Sequence, residues 1–546
     1  MRKPVFKSNL QGQISVFPAR LDQNITEDAP VRLVNQIVDK LDISVIEKTY
    51  KGGGTSSYHP RMMLKVLFYA YMNNIYSCRK IEKHLLENIH YMWLSGKQTP
   101  DFRTINNFRS LHLKDTVNQL FTQVVLMLVE MGYISLQTVY IDGTKMESRA
   151  GRYTFVWRKT VEKNKAKLEA KIREILKMID EGIAQDDLPN DEPPTPIDSD
   201  ELKKRIDQIN RENLSKQEQK AVKTLEEKHL PKLQEYENHL QVLGNRNSYS
   251  KTDQSATFMR MKDDHMQNGQ LKPAYNLQIG TKNQFITHFD FFPNPTDTLT
   301  MVPFFEGWEE SYSAYPQTVV ADAGYGSEEN YGFMENNEME AFVKYNYFHA
   351  EQKKKFRENA FTSQNLYYNA TDDYFVCPMG QHLEKKGNKT TTNKNGHRSE
   401  ITIYEAANCK DCPLRGMCFK AKGNRRIEIN HNLRRLKTKA RELLLSEEGI
   451  KHRKKRCVEP EPVFSHIRYD GGYLRFRHFG QDKIEMDFAV LAIALNLSKL
   501  VRKLASSAKI KEKQHQKRQF IACFQVYIIK TKTRIENLGA DAKIAA

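Results

Sequence analysis

The stretch VYIDGTKMESRAGRYTF, residues 139–155, indicates the fold class of this chain. A short apolar run, VYI, stops at the acid Asp142, and the letters GTK follow directly. Asp and Gly commonly open a turn after a strand, so a turn alone would explain the pattern. A carboxylate at the end of a buried strand also suits a functional site, because open α/β sheets place their sites at strand ends.

A second stretch repeats this pattern nearly two hundred residues later. QTVVADAGYGS, residues 317–327, runs through a β-branched segment to Asp322 and then to small residues. Between the two stretches, AYNLQIGTKN and QFITHFDFF also have the composition of strands. Two carboxylates brought close together repel each other, and a bound Mg²⁺ removes that cost. Two such ions would activate an attacking water and stabilise the leaving oxygen in phosphodiester chemistry.

Composition narrows the class of protein. The chain has 546 residues, 39% hydrophobic residues and a formal net charge of +18. This length predicts several domains, and the excess of Lys and Arg favours a polyanionic partner such as nucleic acid. No apolar run reaches the ~18 residues of a membrane span, and the N-terminus has no signal-peptide pattern. We therefore predict a cytoplasmic protein that does not enter a membrane.

Residues 1–58 form an N-terminal segment ending in the hinge-like KGGGTSS, and residues 59–133 have a helical pattern. Pro60 suits the first turn of a helix. Several short helices with polar outward side chains predict a DNA-binding domain of the helix-turn-helix type. The candidate DNA contacts are Arg79, Lys80, Arg103, Asn106, Asn107 and Arg109. Ordinary charged solvent faces would show the same pattern.

Residues 134–505 are predicted to form the catalytic domain, with two insertions. The first, residues 157–250, is predicted to be a helical hairpin. Leu168, Ile172 and Leu176 lie on one stripe of its first helix, and the acidic, Pro-rich segment QDDLPNDEPPTPIDSDE separates the two helical stretches. The second, residues 368–430, is rich in Cys and Lys. Residues 506–546 form a basic C-terminal tail to which we assign no function.

Three blocks of the sequence carry a resemblance to a known family. VYIDGTKMES, VVADAGYGS and CVEPEPVFSHIRYDGGYLRFRHFGQDKIEMDFAVLAIALNLSKL resemble the conserved blocks of DDE transposases from bacterial insertion sequences. HPRMMLKVLFYAY and TPDFRTINNFR are similar to the N-terminal domain of the same enzymes. The resemblance implies an α/β chain with an RNase H-like catalytic core and an N-terminal all-α DNA-binding domain. It also implies that an Asp, an Asp and a Glu bind two divalent ions, Mg²⁺ or Mn²⁺.

Within this resemblance, Asp142 matches the first acid and Asp322 the second. Glu461 matches the third, because it begins EPVFS, and Arg468 stands where the family usually has Lys. The family commonly has Tyr and Arg upstream, where this chain has Lys454 and Cys457. Two other acids of the same region, Glu459 and Glu485, are alternatives for the third position.

Four of the seven cysteines cluster in the second insertion, at Cys377, Cys409, Cys412 and Cys418. A Cys-x-x-Cys pair joined by two further cysteines suits a tetrahedral, structural Zn²⁺. A set of ordinary reduced thiols is the alternative, and we prefer it for the remaining cysteines.

The expected function is that of a transposase that binds the terminal inverted repeats of its element, cleaves the strand, and joins the freed 3′ hydroxyl to target DNA. Its partner would be double-stranded DNA in the nucleoid, and pairing two ends implies a dimer. Arg468, Lys499 and the basic run at residues 451–456 are expected to hold phosphates. The alternatives are a zinc-containing DNA-binding regulator without catalysis, and an RNase H-like nuclease that cuts without joining.

Overall fold

The computed structural model of the chain describes residues 20–50, 57–183, 197–209, 214–261 and 269–508. Most of the predicted KGGGTSS hinge and of the acidic, Pro-rich break lies outside the described residues, as does nearly all of the C-terminal tail. No helix in the described ranges is long and apolar enough to cross a membrane.

The chain divides into two compact units. The first unit comprises Met1–Leu136, Phe285–Thr287 and Glu485–Ala546, and the second comprises Gln137–Gln284 and His288–Ile484. The domain boundaries expected after residues 58, 133 and 505 stay predictions.

The first unit is helical. Its helices are α1 (Pro30–Lys40), α2 (Ser44–Glu47), α3 (Pro60–Met72), α4 (Cys78–Glu87), α5 (Ile89–Ser95), α6 (Phe102–Asn107), α7 (Val117–Glu130) and most of the final helix (Gln481–Ala508). Pro60 begins α3 as predicted, since its missing N–H costs nothing at that position. Asp101 caps α6 by accepting a hydrogen bond from the N–H of Thr104 at 2.7 Å.

The core of the first unit is built on α3 and the final helix. α3 buries Met63 through Tyr71 almost without interruption, with only Lys65 partly exposed. The final helix is buried on several faces around AVLAIA, as expected for an all-round apolar helix inside a protein. Its Asn496 accepts a hydrogen bond from the N–H of Ile286 and donates one to the carbonyl oxygen of Ile286, both at 2.8 Å. The side chain thus satisfies two buried backbone groups as a strand neighbour would.

The second unit contains a mixed sheet. Its strands, in chain order, include β1 (Thr138–Glu147), β2 (Phe155–Trp157), β3 (Ser248–Ser250), β4 (Thr257–Arg260), β5 (Leu271–Lys282), most of β6 (Phe285–Phe292), β7 (Thr318–Ala321) and β8 (Glu340–Val343). In the described part of the chain the order is β4-β5-β1-β7-β8, with β6 also pairing with β5, while β2 and β3 pair separately. β1 is parallel to β7 and antiparallel to β5, and β7 is parallel to β8. The predicted α/β class with a helical N-terminus is confirmed.

The first strand does not end at Asp142, as the sequence led us to expect. β1 continues to Glu147, because β5 pairs with it antiparallel as far as Glu147 and Ala274. Only the parallel pairing with β7 stops early, at Tyr140 and Val320. Extending that register by two residues sets Asp142 beside Asp322. Gly143 is therefore a strand residue opposite Gln278 and opens no turn.

Helices surround and extend this sheet. They are α8 (Arg158–Ile183), α9 (Ser199–Gln208), α10 (Lys216–Thr224), α11 (Leu230–Leu243), α12 (Met301–Tyr312), α13 (Glu328–Asn336), α14 (Phe348–Glu351), α15 (Lys354–Arg357), α16 (Arg415–Cys418), α17 (His431–Leu445), α18 (Glu447–Arg456) and α19 (Pro460–Ser465). The predicted stripe of Leu168, Ile172 and Leu176 on α8 is buried, in one apolar cluster with Leu233 of α11.

A second, antiparallel sheet lies in the Cys-rich region. Its strands are β9 (Tyr367–Asn369), β10 (Tyr374–Val376), β11 (His382–Thr392), β12 (Arg398–Ala406) and β13 (Arg426–Ile429), in the order β13-β12-β11-β10-β9. Phe375, Leu383 and Tyr404 form its small core. The sequence did not predict these strands, because β11 is largely exposed and consists mostly of Lys, Thr, Asn and Gly.

Candidate active site

Asp142 lies on β1, with only 12% of its side chain exposed. Its Oδ1 accepts a hydrogen bond from the N–H of Gly143 at 2.9 Å. The carboxylate is thus held in a fixed position by the strand that carries it. Burial of this kind is costly for a carboxylate unless a positive charge or several donors face it.

Asp322 directly follows β7, where it precedes a 3₁₀ turn, Ala323–Tyr325. Its Oδ1 accepts a hydrogen bond from the N–H of Gly324 at 2.9 Å, so the side chain fixes the turn that ends the strand. The side chain is 40% exposed. The sequence correctly placed this acid at the end of a strand.

A positive charge lies between the two aspartates. Arg456, the last residue of α18, is buried, and its Nη2 lies 3.2 Å from both Asp142 Oδ1 and Asp322 Oδ2. Its Nη1 lies 3.9 Å from Glu461 Oε1 on the first turn of α19. All three acids predicted for the catalytic set therefore surround one guanidinium.

The two alternative third acids have other partners. Glu459 is buried, and its carboxylate accepts a hydrogen bond from the N–H of Gln284 at 2.7 Å and lies 3.5 Å from Lys455 Nζ. Glu485 belongs to the first unit, where its carboxylate accepts a hydrogen bond from Asn118. Glu461 is 56% exposed, and its carboxylate lies 3.9 Å from the Arg456 guanidinium.

The sequence did not predict the acid Asp297, which also lies at this site. Its Oδ1 accepts hydrogen bonds from Asn276 Nδ2 at 2.8 Å and Gln278 Nε2 at 2.9 Å, both on β5. Buried Tyr325 donates a hydrogen bond to Gln278. Burial raises the pKa of this tyrosine well above its usual value, and the negative charges of Asp297, Asp142 and Asp322 raise it further. The signal in the sequence was an acid shortly after a strand, in NPTDT.

Two further basic residues lie close to this part of the sheet. Lys344 follows β8, and burial lowers its pKa, with the charge of Arg456 acting in the same direction and that of Asp322 opposing. Arg468 follows α19 and donates to the Thr144 hydroxyl and, at 2.9 Å, to the Lys145 carbonyl oxygen. It therefore contacts β1 just beyond Asp142.

The donor set fits a hard divalent cation. Mg²⁺ takes carboxylate oxygens as ligands, and the carboxylates of Asp142 and Asp322 already converge on one positive charge, that of Arg456. No group of three or more His, Cys, Asp or Glu side chains in the described ranges has the mutual spacing of a completed metal site. With the guanidinium between them, the acids are held close together around a cation of the protein itself.

Comparison with known families gives an independent result. Residues 376–501 match a family described as transposase DDE domain, and residues 19–111 match one described as transposase domain (DUF772). These two matches support membership of the DDE transposases of insertion sequences. The first match includes Glu461 and the four clustered cysteines, whereas Asp142 and Asp322 precede it. No curated protein sequence matches the chain. Membership indicates an enzyme that acts on DNA and uses divalent metal ions.

In the first unit of the transposase, most of the predicted DNA contacts are exposed. Arg79 lies over the ring of Phe102 at 4.7 Å and Arg103 at 5.7 Å, so one aromatic side chain brings both cations together. The exposed candidates are Arg79, Lys80, Arg103, Asn106 and Asn107. Lys499 lies over Phe285, with Nζ 5.6 Å from the ring centroid.

Arg109 differs from the other candidates because only 3% of its side chain is exposed. It forms an ion pair with fully buried Asp487, which also accepts a hydrogen bond from Tyr71. Burial lowers the pKa of the guanidinium, but its interactions with Tyr71, Asp487 and Cys78 outweigh this and raise it above its usual value. In this structure Arg109 is buried in an ion pair within the first unit, unlike the exposed candidates.

The four clustered cysteines of the transposase line one cavity. Backbone N–H groups donate to two of them, from Gln381 to Cys377 Sγ and from Arg425 to Cys409 Sγ, each at 3.3 Å. The Arg425 guanidinium lies 2.8 Å from Cys418 Sγ.

Proposed function

We propose that this transposase binds the terminal inverted repeats of its insertion sequence and catalyses metal-dependent strand cleavage and strand transfer. The observation that supports the proposal is the convergence of Asp142, Asp322 and Glu461 on Arg456. Two of these acids belong to adjacent parallel strands or their ends, which is where α/β sheets place catalytic groups. We further propose that the mixed sheet is an RNase H-like core, with residues 157–250 and 368–430 as its insertions.

Each residue of the site has a proposed role. Asp142 and Asp322 supply carboxylate oxygens for Mg²⁺ or Mn²⁺, and Glu461, which is more exposed, completes the set. When bound, such cations activate the attacking hydroxyl and stabilise the leaving oxygen of the phosphodiester. Arg456 keeps the two aspartates together by balancing their charge before a cation arrives. Two carboxylates this close together would otherwise repel each other.

The DNA would be held by cations in both units. We propose that Arg79, Lys80, Arg103, Asn106 and Asn107 contact the terminal repeat, and that Arg468, Lys499 and the basic run at 451–456 contact phosphates. Phosphate contacts supply most of the affinity and base contacts the specificity. We propose a dimer during end pairing and action in the cytoplasm, on nucleoid DNA.

Purified full-length protein tests this function directly. Labelled duplexes carrying the ends of the element are incubated with Mg²⁺, and products are resolved by strand. Cuts at the element boundary followed by joining to a target plasmid are expected. Cutting without joining would instead favour a nuclease, and binding without cutting would favour a regulator.

The third acid can be ranked by three matched substitutions. Glu461→Gln is expected to slow cleavage by about 10²-fold or more, because it removes one charge from the catalytic set. Glu485→Gln should cleave normally, since its contact is a hydrogen bond with Asn118 in the first unit. Glu459→Gln should lower the unfolding temperature instead, because the buried Glu459 carboxylate interacts with the N–H of Gln284 and with Lys455. Single-turnover cleavage and thermal unfolding are measured on each variant, and normal cleavage by Glu461→Gln would contradict the ranking.

We also propose a structural Zn²⁺ in the cavity lined by Cys377, Cys409, Cys412 and Cys418. A closed set of four thiolates binds Zn²⁺ in preference to the hard cation of the active site. The small core of the second sheet, built around Phe375, Leu383 and Tyr404, would gain from such a crosslink.

Elemental analysis of EDTA-washed protein should find about one Zn²⁺ per chain. Cys412→Ser should lose most of the metal and unfold at a lower temperature, because three thiolates hold zinc less tightly than four. Cys457→Ser is the matched control, since Cys457 is exposed and does not line the cavity. Wild-type protein without zinc, and with all four thiols open to a thiol reagent, would contradict the site.

A further inference from the structure

We propose that Asp297 is a further carboxylate of the active site and helps Asp142 and Asp322 to hold a divalent cation. This inference rests on the proposed function, because it concerns the same centre. It adds a residue that lies outside the three blocks in which the sequence suggested the catalytic acids.

The backbone of Asp297 is fixed to the turn that carries Asp322. Asp297 begins a 3₁₀ turn, Asp297–Leu299, a few residues after β6. The hydroxyl of Thr298 donates to the carbonyl oxygen of Gly324 at 3.0 Å. Asn330 donates to the carbonyl oxygen of Thr298 at 3.0 Å, so the two turns are joined by side chains on both sides.

The two oxygens of the Asp297 carboxylate have different surroundings. Oδ1 accepts both amide hydrogen bonds, from Asn276 and Gln278. Oδ2 lies 3.5 Å from the point where a Cβ on Gly324 would stand, and Asp322 Oδ1 lies 3.1 Å from that same point. The carboxylates of Asp297 and Asp322 therefore face each other across Gly324.

A glycine beside each catalytic aspartate makes this approach possible. A Cβ on Gly143, next to Asp142, would lie 2.7 Å from Asp297 Oδ1 and would collide with the amide of Gln278. A Cβ on Gly324 would lie 3.1 Å from Asp322 Oδ1. The Asp297 carboxylate thus lies in the space that a side chain at Gly143 on β1, or at Gly324 in the turn after β7, would enter.

The charge balance of the site also points to a cation beyond those of the protein. Arg456 is buried and divides its Nη2 between Asp142 and Asp322. The four carboxylates of Asp142, Asp322, Asp297 and Glu461 outnumber the two cations of the site, Arg456 and Lys344, and a divalent cation would offset the difference.

The variant Asp297→Asn tests whether Asp297 binds the cation or only supports β5 through hydrogen bonds. An asparagine Oδ1 can still accept both amide hydrogen bonds, while the negative charge that faces Asp322 is lost. Mn²⁺ binding to the full-length protein without DNA is measured by electron paramagnetic resonance, with thermal unfolding recorded alongside. Asp142→Asn is the reference for a lost ligand. Asp373→Asn is the matched control, because Asp373 is also held by side chains, those of Tyr368 and Tyr404, but in the second sheet.

We expect Asp297→Asn to weaken Mn²⁺ binding by about ten-fold or more, as Asp142→Asn does, with Asp373→Asn unchanged. Wild-type affinity in Asp297→Asn together with weak binding in Asp142→Asn would overturn the role of Asp297 and leave the proposed function standing. Unchanged binding in Asp142→Asn would overturn both.

A measurement on the wild-type chain covers the case in which Asp297→Asn does not fold. Fe²⁺ loaded in place of Mg²⁺, with ascorbate and peroxide, cuts the backbone near its ligands, and the cuts are mapped by mass spectrometry. Cuts near residues 142, 322 and 297 that excess Mg²⁺ suppresses are expected. Cuts near residues 142 and 322 without any near 297 would overturn the inference.

Discussion

Asp142→Asn and Asp322→Asn should each slow DNA strand cleavage by about 10³-fold or more, since a lost cation contact is worth several kcal/mol in the transition state. Affinity for the element ends should change by no more than about two-fold, because affinity comes mainly from contacts between cations and phosphates. Single-turnover cleavage in Mg²⁺ and a gel-shift titration on the same duplex measure the two effects. Asp373→Asn is the control and should cleave as the wild type does.

The expected loss concerns chemistry and not folding. Asparagine has nearly the shape of aspartate, and its Oδ1 can accept from Gly143 or Gly324 as the native side chain does. Arg456 keeps one carboxylate in either variant, so its guanidinium is not left without a counter-charge. An unfolding temperature close to that of the wild type is therefore expected. Cleavage at the wild-type rate by either variant would rule out the assignment.

The two aspartates were predictable from the sequence because each follows a β-branched or apolar run and precedes small residues. The length of β1 was not predictable in the same way. Its parallel pairing stops at Tyr140, but its antiparallel pairing continues to Glu147, and only the position of β5 determines this. A glycine after an acid suggests a turn in the sequence, whereas in the sheet Gly143 makes room for Gln278 and Asp297.

Asp297 and Arg456 show what local patterns leave out. Arg456 stood in a basic run that suggested phosphate contacts, and nothing in that run distinguished the one arginine that is buried between two acids. Asp297 lies in a polar turn where an aspartate is unremarkable. Arg456 contacts Asp322, 134 positions away, and Asp297 accepts hydrogen bonds from Asn276 and Gln278, 21 and 19 positions away. Such contacts leave no periodicity in the sequence.

The environments of the N-terminal arginines were also only partly predictable from the sequence. Arg103 and Arg109 both lie in the stretch TPDFRTINNFR and were expected to face DNA. In the structure Arg103 is exposed and Arg109 is buried, because Arg109 lies on the side that contacts Asp487 of the final helix. Asp487 follows Arg109 by 378 residues, so no local pattern indicated the pair.

Asp487→Ala is expected to destabilise the first unit by about 3–5 kcal/mol, because it leaves the buried guanidinium of Arg109 without its counter-charge. Tyr71 would lose its hydrogen-bond acceptor in the same variant. Urea unfolding followed by tyrosine and tryptophan fluorescence should show an earlier transition. The replacement of both partners, Arg109→Met with Asp487→Leu, should recover most of the stability, since apolar side chains can fill the site without a charge. An Asp487→Ala variant as stable as the wild type would contradict this account.

The same double variant decides whether Arg109 also contacts DNA. If Arg109 only supports the core, the folded double variant should bind element ends as the wild type does. In that case Arg103→Ala should weaken specific binding by ~1–3 kcal/mol if its side chain reads a base edge. Loss of specific binding in a folded double variant would instead mean that Arg109 leaves its ion pair to meet DNA. Breaking a buried ion pair costs several kcal/mol. If Arg109 left its pair with Asp487, its contacts with DNA would have to offset that cost. We therefore expect the double variant to keep its affinity.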